Sequence, residues 1–99
     1  MLEIHVTCKD ENEVEKISKT LLNEKIVACA NYFPVKSMFS WKGKIEKAKE
    51  FIIILKTNDR QKEKAVRRIK ELSSYALPVI TWNEANTTKD AKDWINNSV

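Results

Sequence analysis

The run Phe51-Ile-Ile-Ile-Leu55 is apolar at every position, and it constrains the fold more than any other stretch of the chain. Successive side chains of a strand leave opposite faces, so a strand with one wet face alternates polar and apolar residues. This one asks for cover on both sides. Leaving two of the five side chains in water forgoes about 1.5–3 kcal/mol each, a large share of a small domain's stability. A chain of 99 residues offers one domain, residues 1–99, and one core. The second face of the strand is therefore expected to be covered by copies of the same subunit.

The remaining periodicities lay out the other elements. Leu2, Ile4, Val6 and Cys8 alternate with Glu3, His5 and Thr7, which predicts a first strand. Asp10 followed by Glu13 resembles a capping box, and Val14, Ile17, Leu21 and Leu22 recur at helical spacing, so a helix is expected to about Lys25. Ile26 to Phe39 and Trp41 to Thr57 are rich in β-branched and aromatic residues around the single glycine, Gly43, and predict a long hairpin. Pro34 places the first arm at an edge or a bulge. Asn58 with Gln61 opens a second helix with apolar Ala65, Val66, Ile69 and Leu72. Leu77 to Trp82 predicts a fourth strand, and Thr87 with Asp90 a closing helix that sets Trp94 and Ile95 on the body. Strand, helix, strand, strand, helix, strand, helix is an α+β order, the split βαβ repeat of a ferredoxin-like sandwich with an antiparallel sheet and two helices on one face.

Several functions are excluded or disfavoured by what is missing. Apolar runs of five residues at most fall far short of the roughly 20 needed for a membrane span. Residues 1–5 carry no basic leader followed by an apolar stretch, which gives a cytoplasmic expectation. One glycine rules out a Gly-rich phosphate loop. His5, the single histidine, lies at opposite strand parity to Cys8, so no Cys-His pair forms there and no catalytic residue is assigned. The net charge of +4 is concentrated in the hairpin, where six lysines between Lys36 and Lys56 face Glu46 and Glu50. The strand Phe51 to Thr57 lacks the basic-Gly-aromatic signature of RNA-binding sheets, so nucleic acid is not the expected partner. Metal binding has more to work with. Glu3 and His5 share a strand face at i, i+2, where carboxylate and imidazole could approach one ion, and Cys29 offers a thiol. Cys8 and Cys29 are too few and too far apart for a disulfide framework.

A set of segments, taken together and in order, resembles the CutA family of divalent-cation tolerance proteins. They are Ala28-Cys29-Ala30-Asn31, Ser37 through Ile45 with Trp41-Lys42-Gly43-Lys44 inside it, Glu50, Lys56-Thr57, Tyr75, Pro78 and Trp94. The resemblance covers essentially the whole chain. It implies a homotrimer of ferredoxin-like subunits whose long hairpins pair between neighbours, similar in architecture to the PII signalling trimers. It also implies a binding or regulatory role in tolerance of copper or another divalent cation, with no enzymatic activity; a PII-like small-ligand signalling module is the alternative. In the family's His-Pro-Tyr-Glu-x-Pro stretch the histidine region is tied to copper. Here Ser73 and Ala76 stand at the histidine and glutamate positions. The metal donors left to expect are Cys29, His5 and Glu50. The resemblance also implies an inter-subunit cleft lined in addition by Asn31, Trp41, Lys56 and Tyr75, where a lysine and an amide could hold a small anion.

Overall fold

A computed structural model describes all residues, 1–99. The first strand, β1 (Leu2–Cys8), leads into α1 (Glu11–Asn23); β2 (Cys29–Trp41) and β3 (Lys44–Thr57) form the hairpin; a 3-10 turn over Asp59–Gln61 precedes α2 (Lys62–Leu72); β4 (Ile80–Glu84) and α3 (Lys89–Ser98) complete the chain. The four strands form one antiparallel sheet in the order β2-β3-β1-β4. This is the expected ferredoxin-like α+β arrangement, with both connections between non-neighbouring strands carried by helices.

The helix starts follow from side-chain chemistry. Asp10 caps α1 by accepting from the Glu13 backbone N–H at 2.9 Å. The Glu13 carboxylate reaches back one residue further than a capping box does, accepting from the Lys9 N–H at 3.2 Å. The cap of α3 is Thr88, which accepts from the Ala91 N–H, one residue later than expected. Asn58 supplies no cap to the second helix; its side-chain amide donates to Asn96 on α3 instead.

The core sits between α1, α2 and one face of the sheet. Leu2, Ile4, Val6 and Cys8 of β1 face the same way as their partners Thr57, Leu55, Ile53 and Phe51 on β3. Val14, Ile17 and Leu21 of α1 and Ala65 and Ile69 of α2 close over them. Thr57, the polar member, is satisfied by donating its hydroxyl to the Ile26 carbonyl at 2.7 Å.

The other sheet face carries the alternate residues of the same ladder. Ile54 lies between His5 and Asn31, Ile52 between Thr7 and Phe33, and Lys56 between Glu3 and Cys29. Ile52 and Ile54 are half-buried and Phe33 is exposed. The double demand of the Phe51–Leu55 run is thus met on the helix side by Ile53 and Leu55, and only partly met on the other.

Three expectations move. β2 begins at Cys29 rather than Ile26, because Ile26 and Val27 are drawn into the core and their N–H groups bond back to Leu21 on α1. The turn that allows this places Lys25 at φ 57, a conformation that no glycine announced. β4 runs over Ile80–Glu84 rather than Leu77–Trp82, leaving Leu77 and Val79 exposed. Only Ile95 of the last helix is buried; Trp94 stays 51% exposed. Consecutive side chains lie about 100° apart around a helix, and the inward direction of α3 is taken by Ile95.

Beyond Glu50 and Val35 the hairpin leaves the sheet, since β1 ends opposite Phe51. The molecule measures 45 × 24 × 21 Å. Its accessible surface of 6648 Å² exceeds the roughly 5,800 Å² of a compact monomer of this mass. The projecting ribbon accounts for the elongation.

Candidate functional site

The seven residues singled out from sequence fall into three places. Cys29 and Asn31 on β2, Lys56 on β3 and His5 on β1 share the sheet face opposite the helices. The Cys29 thiol donates to Asn31 Oδ1 at 3.6 Å. His5 Nε2 lies 3.9 Å from Glu3 Oε1, too far for a hydrogen bond, and that nitrogen is enclosed without a partner. Lys56 separates Glu3 from Cys29 across the ladder. No group of three or more His, Cys, Asp or Glu side chains is placed to hold one ion.

Glu50 and Tyr75 form the second place, at the base of the projecting ribbon. Glu50 pairs with Val35, six residues along β3 from Lys56, the partner of Cys29; that is about 20 Å at roughly 3.3 Å per residue. Within one subunit Glu50 and Cys29 therefore do not meet. Glu50 is 8% exposed and accepts from the Tyr75 hydroxyl at 2.6 Å, a short bond of the charge-assisted kind. Tyr75 is carried by the loop after α2, which is pinned a second time by the Ser74 N–H donating to Glu13 Oε2 at 3.1 Å. Two buried carboxylates, one from α1 and one from β3, thus hold one loop.

The electrostatics of this node follow from enclosed acids. Burial first, then the hydrogen bond to Glu50 and its charge, raise the Tyr75 phenol above its ordinary value. Burial, with the charges of Glu13, Asp10 and Glu50 behind it, pushes the Cys8 thiol up to about 12. Cys8 is an inert core thiol, as its parity predicted.

Beside the node opens a groove of about 390 Å³ lined by Lys9, Asp10, Lys36, Lys49, Glu50 and Phe51 among others. Its carboxylates are already engaged: Asp10 caps α1 and Glu50 holds Tyr75. Its lysines have no carboxylate partner, which leaves the groove electropositive. Sequence reading did not reach Lys9, Lys36 and Lys49 as a group, because only the hairpin base brings them together; the basic excess of the hairpin was the available signal.

Trp41 occupies the third place, at the ribbon tip beside the turn. It is 51% exposed, with the Lys42 ammonium 5.9 Å from its ring centre, and it is remote from both other groups along the ladder.

Comparison with known proteins places this geometry in a family. The profile described as CutA1 divalent ion tolerance protein matches residues 2–98. The divalent-cation tolerance protein CutA of Archaeoglobus fulgidus is 39% identical over 97 residues, covering 97% of this chain and 95% of the relative. That of Pyrococcus horikoshii is 42% identical over 80 residues, covering 81% and 78%. The solved Archaeoglobus structure superposes with a TM-score of 0.96 at 38% identity over 99% of this chain and 98% of the other. A protein from Nostoc described as a PII-like protein CutA superposes with a TM-score of 0.93 at 29% identity, over 99% and 96%.

One expectation is overturned here. The Archaeoglobus structure is described as a periplasmic divalent cation tolerance protein, so the cytoplasmic assignment, which rested on residues 1–5 alone, is withdrawn. No helix is long and apolar enough to cross a membrane. With a profile match over residues 2–98, two relatives 39% and 42% identical over most of the chain, and a superposition that includes the projecting hairpin, the chain belongs to the CutA1 divalent ion tolerance protein family.

Proposed function

We propose that this protein serves divalent metal ion tolerance by binding the ion, copper among the candidates, as a homotrimer, in a binding or regulatory role rather than a catalytic one. The observation that carries the reading is the open sheet face. It combines a half-buried apolar strip, Ile52 and Ile54, with the Cys29 thiol and the chain's one imidazole, His5. Subunits packing on that strip bring the donors of one copy towards those of the next, and symmetry repeats each contact. Cys29 and Glu50, about 20 Å apart along one sheet, contribute to one ion only if they come from different subunits. Thiolate and imidazole favour copper and zinc over magnesium or calcium.

Native mass spectrometry of protein purified without chelator reads subunit count and retained ion together. Three copies, with Cu(II) binding by calorimetry that is lost in Cys29→Ala, is the expected result. A monodisperse monomer at micromolar concentration removes the assembly, and flat calorimetry for copper, nickel and zinc removes the metal role.

A second reading, a PII-like small-ligand module, draws on the hairpin-base groove, where Lys9, Lys36 and Lys49 stand unpaired beside the Glu50–Tyr75 bond. A small carboxylate or phosphate bound there raises the melting temperature saturably, since it binds only the folded state. Lys36→Glu with Lys49→Glu abolishes that shift and leaves metal binding at Cys29 intact.

A further inference from the structure

The helix side of the sheet carries a groove that the proposed metal and subunit roles do not use. It lies between α2 and β4, has a volume of about 600 Å³, and is lined by Trp82 and Val66, by the cations Lys62, Arg67 and Lys70 and by the acids Glu63 and Glu71. That volume falls within the roughly 300–1,000 Å³ typical of small-molecule sites.

Trp82 forms the floor. Its partner in the ladder is Ile4, a core residue, so the indole is directed to the helix side of the sheet. Yet α2 does not cover it, and 47% of its surface stays exposed. The indole thus offers a broad, flat apolar surface that a planar ligand can stack on. The ring is already electrostatically engaged, with the Lys62 ammonium 5.6 Å from its centre.

The charges around it do not cancel. Arg68, on the neighbouring side of α2, takes both nearby carboxylates: Glu24 at 2.8 Å and Glu71 at 3.4 Å. Lys62, Arg67 and Lys70 are left without a carboxylate partner, and Glu63 is the one free acid. An aromatic floor is therefore flanked by three cations that make no salt bridge, against the single free carboxylate of Glu63, and one of the three is a guanidinium able to grip a phosphate or carboxylate through two N–H groups.

We propose that this groove binds a small planar aromatic anion, its ring stacked on Trp82 and its phosphate or carboxylate held by Arg67 and Lys70. Neither half of the chemistry suffices by itself: exposed lysines hold free phosphate weakly, and an exposed ring in water gains little from stacking without an anchor. The combination of ring and anion matches what single-stranded nucleic-acid sites use for one nucleotide, a stacking face beside basic side chains. The groove lies on the opposite sheet face from Ile52 and Ile54, so packing on that apolar strip does not by itself occupy it.

Nitrogen-edited NMR of the full-length protein tests this, because each tryptophan indole N–H gives its own signal and that of Trp82 is the one missing in Trp82→Leu. Two ring-bearing probes distinguish the source of the anion: AMP for phosphate, indole-3-acetate for carboxylate. Saturable displacement of the Trp82 signal by at least one of them is expected. The apparent affinity should weaken at least about tenfold, or roughly 1.4 kcal/mol, in Arg67→Glu with Lys70→Glu, and should fall with added salt. Adenosine and inorganic phosphate, each carrying half of the chemistry, should bind weaker than AMP by a similar factor. An unmoved Trp82 signal with both ring-bearing probes overturns the proposal, as does unchanged affinity in the charge-reversed variant or equal displacement by inorganic phosphate. Binding of AMP that shifts only signals of the hairpin base also overturns it, and in that case supports the PII-like reading instead. The variants retain every core residue, and unchanged melting temperatures confirm that a lost signal reports binding.

Discussion

The two halves of the hairpin belong to one continuous pair of strands and meet different fates. From Cys29 to Phe33 and from Ile52 to Thr57 the ribbon is part of a four-stranded sheet, and Ile53 and Leu55 are completely buried. From Val35 to Trp41 and from Lys44 to Glu50 it stands alone as two strands; Met38, Trp41 and Ile45 are 65%, 51% and 76% exposed. A two-stranded ribbon is marginal by itself in water. The difference teaches that composition and topology change together: where β1 ends opposite Phe51 the core ends, and Lys44 to Glu50 carries five charged residues where Ile52 to Thr57 carries one. The outer half carries apolar side chains with no intramolecular use, and the proposed trimer gives them one.

The largest expected effect comes from testing that contrast directly. Ile53→Ala should cost about 2–5 kcal/mol, the range for deleting a fully buried aliphatic side chain, independently of protein concentration. Ile45→Ala should be close to neutral in dilute protein, where the tip is wet, and become destabilising as concentration rises and copies cover it. Urea unfolding at two concentrations reads both. Equal, concentration-independent costs at the two positions would break the comparison.

Next in size is the latch at the boundary between the halves. Tyr75→Phe removes the donor of a buried carboxylate, and Glu50 is left without it; the expected cost is about 1.5–3 kcal/mol, the range for a hydrogen bond to a charged group. The pH dependence sharpens the test. The folded state raises the phenol's proton affinity, so its contribution is fully present below the ordinary tyrosine value near 10 and is lost as pH climbs through the raised folded value. The melting temperature of the native protein should therefore fall above pH about 10, and this alkaline slope should be shallower in Tyr75→Phe. Cys8, also raised, contributes to the slope in both proteins, so the difference between the slopes is what reports Tyr75. Parallel slopes would show that the bond does not hold the loop.

How far the sequence told this story depended on the range of each interaction. β1 and the core face of α1 were legible because Leu2, Ile4, Val6 and Val14, Ile17, Leu21 repeat at the period of their own element. The family resemblance was legible because its segments are contiguous. The start of β2 was not, since Ile26 and Val27 look like strand residues but are claimed by the core through a turn at Lys25 that uses no glycine. β4 was placed early because Leu77 and Val79 are apolar, yet nothing within one subunit covers them. At the candidate site, Tyr75 and Glu50 were both singled out, but their bond spans 25 residues of sequence, and no local pattern encodes it. The separation of Glu50 from Cys29 was equally invisible, because it is a register distance along a strand whose pairing had first to be known.

The smallest expected effect probes the ribbon tip, and its logic rests on backbone alone. Lys42 and Gly43 close the hairpin with φ of 50 and 77, the two consecutive positive values that a two-residue turn needs to match strand twist. A Cβ built on Gly43 meets nothing within 4 Å, so Gly43→Ala introduces no clash and its cost is conformational, about 1 kcal/mol. That cost falls on the half of the hairpin without a third strand. Hydrogen exchange should therefore accelerate for amides between Val35 and Glu50, while those paired with β1 from Ile52 to Thr57 keep their protection, because local opening follows local packing. If protection fell equally in both halves, the hairpin would be one cooperative unit, and the boundary at Phe51 would mark a change in surroundings without a change in stability. In the proposed trimer the same substitution should lose most of its effect on exchange, since neighbouring copies would hold the tip that the turn alone holds in an isolated subunit.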